Sequence, residues 1–306
     1  MARPALAAAR TVAILDFLAA HPTESYTLSE LSRRLGINGA SAHAVLTELT
    51  DAGYLARHPQ HKTFRLGPVV IALGHAALES HRAIDVARDE MKRLATELDV
   101  ECEASAAVAE ETVVLARAGP RLPGWSGPAV GQRLPLVAPV GAVFMAWAPP
   151  DAVNAWLARR SGANERARAR FRHYLDVVCG RGYSVTLRVA AERPIGRALA
   201  RLADEPGAGI AREALAALVG ELGHDDYQLV DADSAGSYAV TSIAAPVFGP
   251  NREVALALAL LGFRGPLSGA EIREYGERVR DRALLVTRQT HGRPDAALAG
   301  AIAQGG

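Results

Sequence analysis

Between positions 57 and 65 the chain gathers Arg57, His58, His61, Lys62 and Arg65 with no acid among them. Basic side chains grouped on so few residues suit a phosphate backbone, which they can hold without reading its sequence. Just upstream, Ser41, His43 and Thr47 recur on one side of a helical stretch whose other side is Ala42, Val45, Leu46 and Leu49. Side chains opposite a helix's packed face are the ones that can reach base edges in the major groove of DNA. Gly39 and Ala40 stand near the start of the same helix, where its positive end can hold a phosphate.

Constellations suited to catalysis are thin. His224-Asp225-Asp226 could supply metal ligands, but a solvated helix end carrying two acids is the simpler reading. Gly207 to Arg212 lacks the third glycine of a dinucleotide fingerprint. Gly39-Ala40-Ser41-Ala42-His43 places a histidine where a nucleophile elbow needs its last glycine. Arg159, Arg160, Arg166, Arg168, Arg170 and Arg172 form a basic stretch with Glu165 its only acid. A solvated helix face accounts for it, with contact to DNA or to a subunit partner as the alternative. The expectation is no enzyme: no catalytic residue, no metal and no cofactor.

Elements of a compact N-terminal unit must position the polar helix and the cations. Ile14, Phe17 and Leu18 repeat at helical spacing, with Leu6 and Arg10 upstream, and the helix ends before His21-Pro22. Thr27-Leu28-Ser29-Glu30 is a capping box that opens a short helix through Leu31 and Leu35, and Gly36 stops it. A second helix opens near Asn38 and closes at Gly53. Two short strands follow, Tyr54–Arg57 and Thr63–Leu66, joined by a turn over His58 to Lys62. Helix, capped helix, tight turn, helix and hairpin is the order of a winged helix-turn-helix.

Beyond Pro68 the pattern changes. Val69 to Leu78 reads as a connecting helix and Ala83 to Leu98 as another. Glu101–Ala109 and Thr112–Ala118 read as a hairpin turning at Glu110-Glu111, and residues 119–131 as a Gly- and Pro-rich loop. A strand carrying Leu134 and Leu136 should lead into a helix over Pro139 to Trp147, and Glu165 to Val178 should be a basic helix. Tyr183–Val189 and Tyr238–Val247 are expected strands, with a mostly helical stretch from about Arg193 to Leu222 between them. Val254–Gly262 is a fully buried strand by its continuous apolar run. Ser268-Gly269-Ala270-Glu271 is a second capping box, and it launches a long last helix with Ile272, Tyr275, Val279 and Ala283 on one face. The expected domains are residues 1–67, a linker helix over 68–82, and residues 83–306.

At 306 residues the chain is long enough for about two domains. Hydrophobic residues make up 49% and charged residues 22%, which argues against a disordered or fibrous chain. The net charge is +1, so a nucleic-acid surface has to be local rather than global. Only Lys62 and Lys92 are lysines, and the arginine bias runs along the whole chain. Cys102 and Cys179 cannot build a disulfide framework and read as buried thiols of a reduced, cytoplasmic protein. Arg10 and Asp16 interrupt what would be the apolar run of a signal peptide. The longest apolar stretch, Val254 to Phe263, is about half of the ~20 residues a membrane span needs, so no membrane partner is expected.

Over nearly its full length the chain resembles the IclR-type bacterial transcription regulators. The residues that carry the likeness are Thr27-Leu28-Ser29-Glu30-Leu31-Ser32-Arg33-Arg34-Leu35-Gly36, Ala52-Gly53-Tyr54-Leu55 and Phe64-Arg65-Leu66-Gly67. In the second half they are Pro135-Leu136 before Gly141, and Ile243-Ala244-Ala245-Pro246-Val247-Phe248. The segment from about Arg188 to Ser237 looks longer than the usual form.

The resemblance implies an α+β protein. An N-terminal winged helix-turn-helix would be joined by a helix to a GAF-like α/β sensor domain, whose curved antiparallel sheet encloses a small-molecule pocket. It also implies a homodimer or dimer of dimers acting on a double-stranded DNA operator. The expected DNA-binding residues are Arg10, Thr27, Gly39, Ser41, His43, Thr47, Arg57, His61, Lys62 and Arg65, with Arg10 matching a position expected to touch backbone. Effector contacts are implied at Leu136, Gly141, Ala142, Ser242, Ile243, Ala259 and Leu261. Two departures stand out. Relatives often carry a lysine where Gly39 stands and an arginine where Ala44 stands, so this helix bears no full positive charge. Relatives also often show small polar side chains where Ala259 and Leu261 stand, which points to an apolar or aromatic effector. The alternatives are an effector-free dimeric regulator, a protein-interaction adaptor, and an enzyme with an appended helix-turn-helix.

Overall fold

The computed structural model describes residues 5–120, 129–160, 165–188 and 227–295, with Arg197, Ala198, Arg201, Leu215, Ala217 and Leu298. Two compact units divide the chain, the first built chiefly on the residues through His81 and the second opening at Arg82.

In the first unit α1 (Leu6–Ala20) leads to β1 (Tyr26–Thr27), α2 (Leu28–Leu35) and α3 (Gly39–Asp51). The wing follows as β2 (Leu55–Arg57) and β3 (Thr63–Leu66), then α4 (Pro68–Ser80). Thr27 and Glu30 form the expected capping box, and Gly36 ends α2 in the left-handed conformation at φ 64°. The bonds from the Thr27 backbone and hydroxyl hold the Glu30 carboxyl below its ordinary range. Asn38 caps α3 by accepting from the Ser41 amide at 2.8 Å. Ile14, Phe17, Leu18, Leu31, Leu46, Leu55 and Phe64 close one core, each burial contributing roughly 1.5–3 kcal/mol.

Strand β1 was not expected. Its two residues are too few to show a period of two, yet they pair with β3 in the order β1-β3-β2. Helix α4, the expected linker, buries none of its residues, and Ile71 and Leu73 are more than half exposed.

The second unit begins with α5 (Arg82–Leu98) and the hairpin β4 (Glu101–Val108) and β5 (Glu111–Ala118). Next come β6 (Arg133–Pro135), α6 (Ala142–Met145), α7 (Pro150–Ala158) and α8 (Glu165–Arg181). Strands β7 (Ser184–Leu187), β8 (Ser237–Tyr238), β9 (Val240–Phe248), β10 (Val254–Leu261) and β11 (Leu267–Ser268) precede the capped helix α9 (Gly269–Gln289). Six strands form one curled antiparallel sheet in the order β6-β5-β4-β10-β9-β7, while β8 and β11 pair separately.

One sheet face carries Ala244, Ala257, Ala259 and Leu261, which pack with Phe144, Trp156, Phe171 and Tyr174 of α6, α7 and α8. The alternate residues Ile243, Ala245, Leu258 and Leu260 are fully buried on the opposite face, where α5 and α9 contact the sheet. Glu90 of α5 ties those two helices by an ion pair to Arg282 of α9 at 3.0 Å.

Several expectations need correction. The expected strand from Tyr238 to Val247 breaks at Ala239 into β8 and β9. Leu136 lies just past β6 and is buried. Helix α7 was not expected. Arg159 and Arg160 end it, so they do not share the α8 face with the later arginines. Arg160 is buried against the Phe171 ring. Cys179 is only half-buried, and its thiol donates to the Ala146 carbonyl. Most of the expected helical stretch from Arg193 to Leu222, Gly207 to Arg212, and His224-Asp225-Asp226 lie outside the described residues.

Candidate nucleic-acid interface and effector face

Helix α3 and the wing enclose a cleft of about 380 Å³. Six of the ten expected DNA-binding residues line it: Thr27, His43, Thr47, Arg57, His61 and Lys62. His43 and Thr47 are exposed one turn apart on α3, opposite the buried Ala42, Leu46 and Leu49. Arg57 lies over the Phe64 ring at 5.6 Å, so its stem is supported while its charge stays in solvent.

The wing turn is built by His58. Its Nδ1 accepts from the amides of His61 at 3.1 Å and Gln60 at 3.3 Å, and its own amide donates to the Thr63 carbonyl. Lys62 closes the turn at φ 53°, a left-handed conformation unusual for a residue with a side chain. His58 therefore acts on the wing's shape, whereas His61 and Lys62 face the cleft.

The other four candidates are placed differently. Arg10 donates from Nη1 to the Ser41 hydroxyl at 3.0 Å, so α1 and α3 hold these two side chains together away from the cleft. Arg65 is exposed on β3 and is not part of the cleft lining. Gly39 opens α3, and a Cβ there would meet nothing within 4 Å. The Thr27 hydroxyl gives its proton to Glu30 and accepts from the Glu30 amide, so it has no proton left for a phosphate. Ser29, Thr50 and Asp51 also line the cleft, and none was singled out from the sequence. Their signal was available in the helical spacing from His43 and Thr47 to Thr50 and Asp51.

In the second unit, register decides which effector candidates share a face. Ala259 stands opposite Ala244, and Leu261 opposite Ser242, so these project to the α6–α8 side. Ile243 pairs with Leu260 and projects to the other side, separated from the rest of its set. The Ser242 hydroxyl is hydrogen-bonded to Thr186 of β7. Leu136 and Gly141 are in close contact, since a Cβ on Gly141 would fall 2.1 Å from Leu136 Cδ1. Trp156 and Arg159 pin this loop by donating to the carbonyls of Val140 and Leu136, each at 2.9 Å. Ala142 then starts α6 and is buried.

Residues 7–59 match the IclR helix-turn-helix domain. The HTH-type transcriptional regulator XynR of Escherichia coli is 23% identical, over 91% of this chain and 94% of that protein. An IclR transcriptional regulator from Alicyclobacillus acidocaldarius superposes with a TM-score of 0.64 at 19% identity, covering 94% of this chain and all of that one. The N-terminal segment is thus similar to an IclR helix-turn-helix, and the chain as a whole shares the fold of that structure. An IclR homologue from Microbacterium hydrocarbonoxydans, solved with 4-hydroxybenzoate, shares the fold at a TM-score of 0.61 and 19% identity, covering 93% of this chain and 98% of that one. Among the described residues no helix of the chain is long and apolar enough to cross a membrane.

Proposed function

We propose that this chain is an IclR-type transcription regulator, that it binds a double-stranded operator as a homodimer, and that a small molecule held by its second unit alters that binding. The cleft between α3 and the wing carries the reading. It brings exposed His43 and Thr47 beside Arg57, His61 and Lys62, so groups suited to base edges and to phosphates share one surface. In this arrangement α3 enters the major groove and the wing cations lie along the backbone. Gly39 offers the start of α3 to a phosphate, and Arg65 adds a cation outside the cleft. Arg10 acts mainly by orienting Ser41.

A second copy of the chain is the natural partner of the first unit. Leu6 and Val12 on α1, and Ile71 and Leu73 on α4, are each more than half exposed. Apolar side chains in that number on two helices favour association. The resemblance favours an effector, and so does the 4-hydroxybenzoate bound by the Microbacterium homologue. Here its body would rest on Ala244, Ala259 and Leu261 beside Leu136 and Ala142, an apolar bed suited to a ring. Ligand binding would change which subunit arrangement is populated, and hence whether two winged helices meet their half-sites together.

Fluorescence anisotropy tests this reading, using DNA upstream of the chain's own gene and a scrambled duplex at several salt concentrations. Selective, salt-sensitive binding is the expected result. Equal affinity for both duplexes would remove the base-reading role of α3. Binding to neither, by a folded dimer, would favour the adaptor reading.

A further inference from the structure

The effector face of the sheet is not uniformly apolar. Register sets Arg117, Glu103, Ala259, Ala244 and Ser184 in one row across five strands, all projecting to the α6–α8 side. Glu101 stands in the adjacent row, opposite Leu261. Glu101 and Glu103 are 2% and 8% exposed. Arg117 Nε lies 2.7 Å from Glu101 and 3.9 Å from Glu103, so one guanidinium pairs with two buried acids, closely with the first and beyond hydrogen-bond range of the second, which leaves a net negative charge. Among the described residues the Glu103 Oε2 atom has no hydrogen-bond partner. Beside it the row continues through two alanines, the smallest side chains that still mark a face, and ends at the neutral hydroxyl of Ser184.

A buried carboxylate oxygen without a donor costs folding free energy unless something supplies the missing proton or charge. We propose that Glu103 is a recognition group for the effector, and that the effector carries a cationic nitrogen group, such as an amidinium or ammonium, attached to an apolar body. The body rests on Ala259 and Ala244 while the cation donates to Glu103. A carboxylate ligand would meet two acids, with Arg117 already engaged. This inference rests on the reading of the second unit as an effector domain. Burial pushes the Glu103 carboxyl up to about 7 although Arg117 opposes the shift, and the neighbouring Glu101 charge adds to it, as expected of two acids that share one guanidinium.

The test uses the full chain and three probes of one shape: benzamidine, benzamide and benzoate, measured by calorimetry and by thermal shift. Benzamidine should bind at least about tenfold more tightly than benzoate, and Glu103→Gln should remove that preference. Ala259→Met places a larger apolar side chain opposite Glu103 without changing charge, and it should weaken benzamidine on a folded chain even if the Gln variant is unstable. Benzoate binding more tightly than benzamidine would overturn the cationic class while leaving an effector domain standing. Equal benzamidine affinity in the parent and in folded Glu103→Gln would place the cation elsewhere and overturn the role of Glu103. No binding of any probe at millimolar concentration would sink both the inference and the effector bed on which it rests.

Discussion

In the first unit Arg57, His61 and Lys62 stand in solvent around a cleft, whereas in the second Glu101, Glu103 and Arg117 are shut into the face of a sheet. Water and salt screen the first set, so such charges suit a partner that brings many phosphates at once, as the proposed operator would. The second set is screened little, so a single charge there can select one small molecule or shift stability. Salt should therefore govern the behaviour of one region and pH that of the other.

The largest expected effect tests the first half of that contrast. Arg57→Ala with Lys62→Ala should lower affinity for every duplex by about tenfold or more and flatten the salt dependence by about two counterions. An unchanged slope would show that the wing holds no phosphate. For the second half, the sign follows from Glu103. Its carboxyl titrates near 7 in the folded chain against an ordinary 4.5, so the folded state keeps a proton that the unfolded chain has already lost. This contribution to stability is full below the ordinary value and is lost as pH rises through about 7, on the order of 1–3 kcal/mol. Melting curves of the parent should fall across that window, and Glu103→Gln should flatten the fall. If the two proteins track each other, Glu103 is not the group that titrates.

Smaller effects sharpen the comparison within α3. His43→Ala should change the ranking of operator variants by about 1 kcal/mol or more while sparing the salt slope, as measured by competition among duplexes. The mildest change is a gain. Space around Gly39 is open, so Gly39→Lys should leave melting nearly unaltered and tighten duplex binding a few-fold at low salt. No gain would mean that the start of α3 stands away from the phosphates.

Much of the first unit was legible because its instructions are local. Thr27 with Glu30, Asn38 before α3, and the turn from His58 to Lys62 each act within a few residues, and the structure forms all of them. The partnership of Arg10 with Ser41 spans 31 residues and two helices, beyond anything spacing can show. In the second unit the hairpin and the buried strand β10 could be read from their apolar runs. The facing of Ile243 could not, because it depends on which residue of β10 stands opposite. A register shift between Ala104 and Ser105 likewise hides the placing of Arg117 against Glu103. Ala259 and Leu261 alone suggested a greasy pocket, since the acids beside them belong to another strand.

The turn at Lys62 carries a consequence for the evolution of this wing. Left-handed backbone costs a lysine roughly 1–2 kcal/mol that glycine would not incur, and the same residue bears a charge on the cleft. A selection for thermal tolerance alone would drive position 62 to glycine, and a selection for operator occupancy would drive it back. If the wing holds DNA as proposed, the durability of the fold and the grip on DNA pull in opposite directions at that one position.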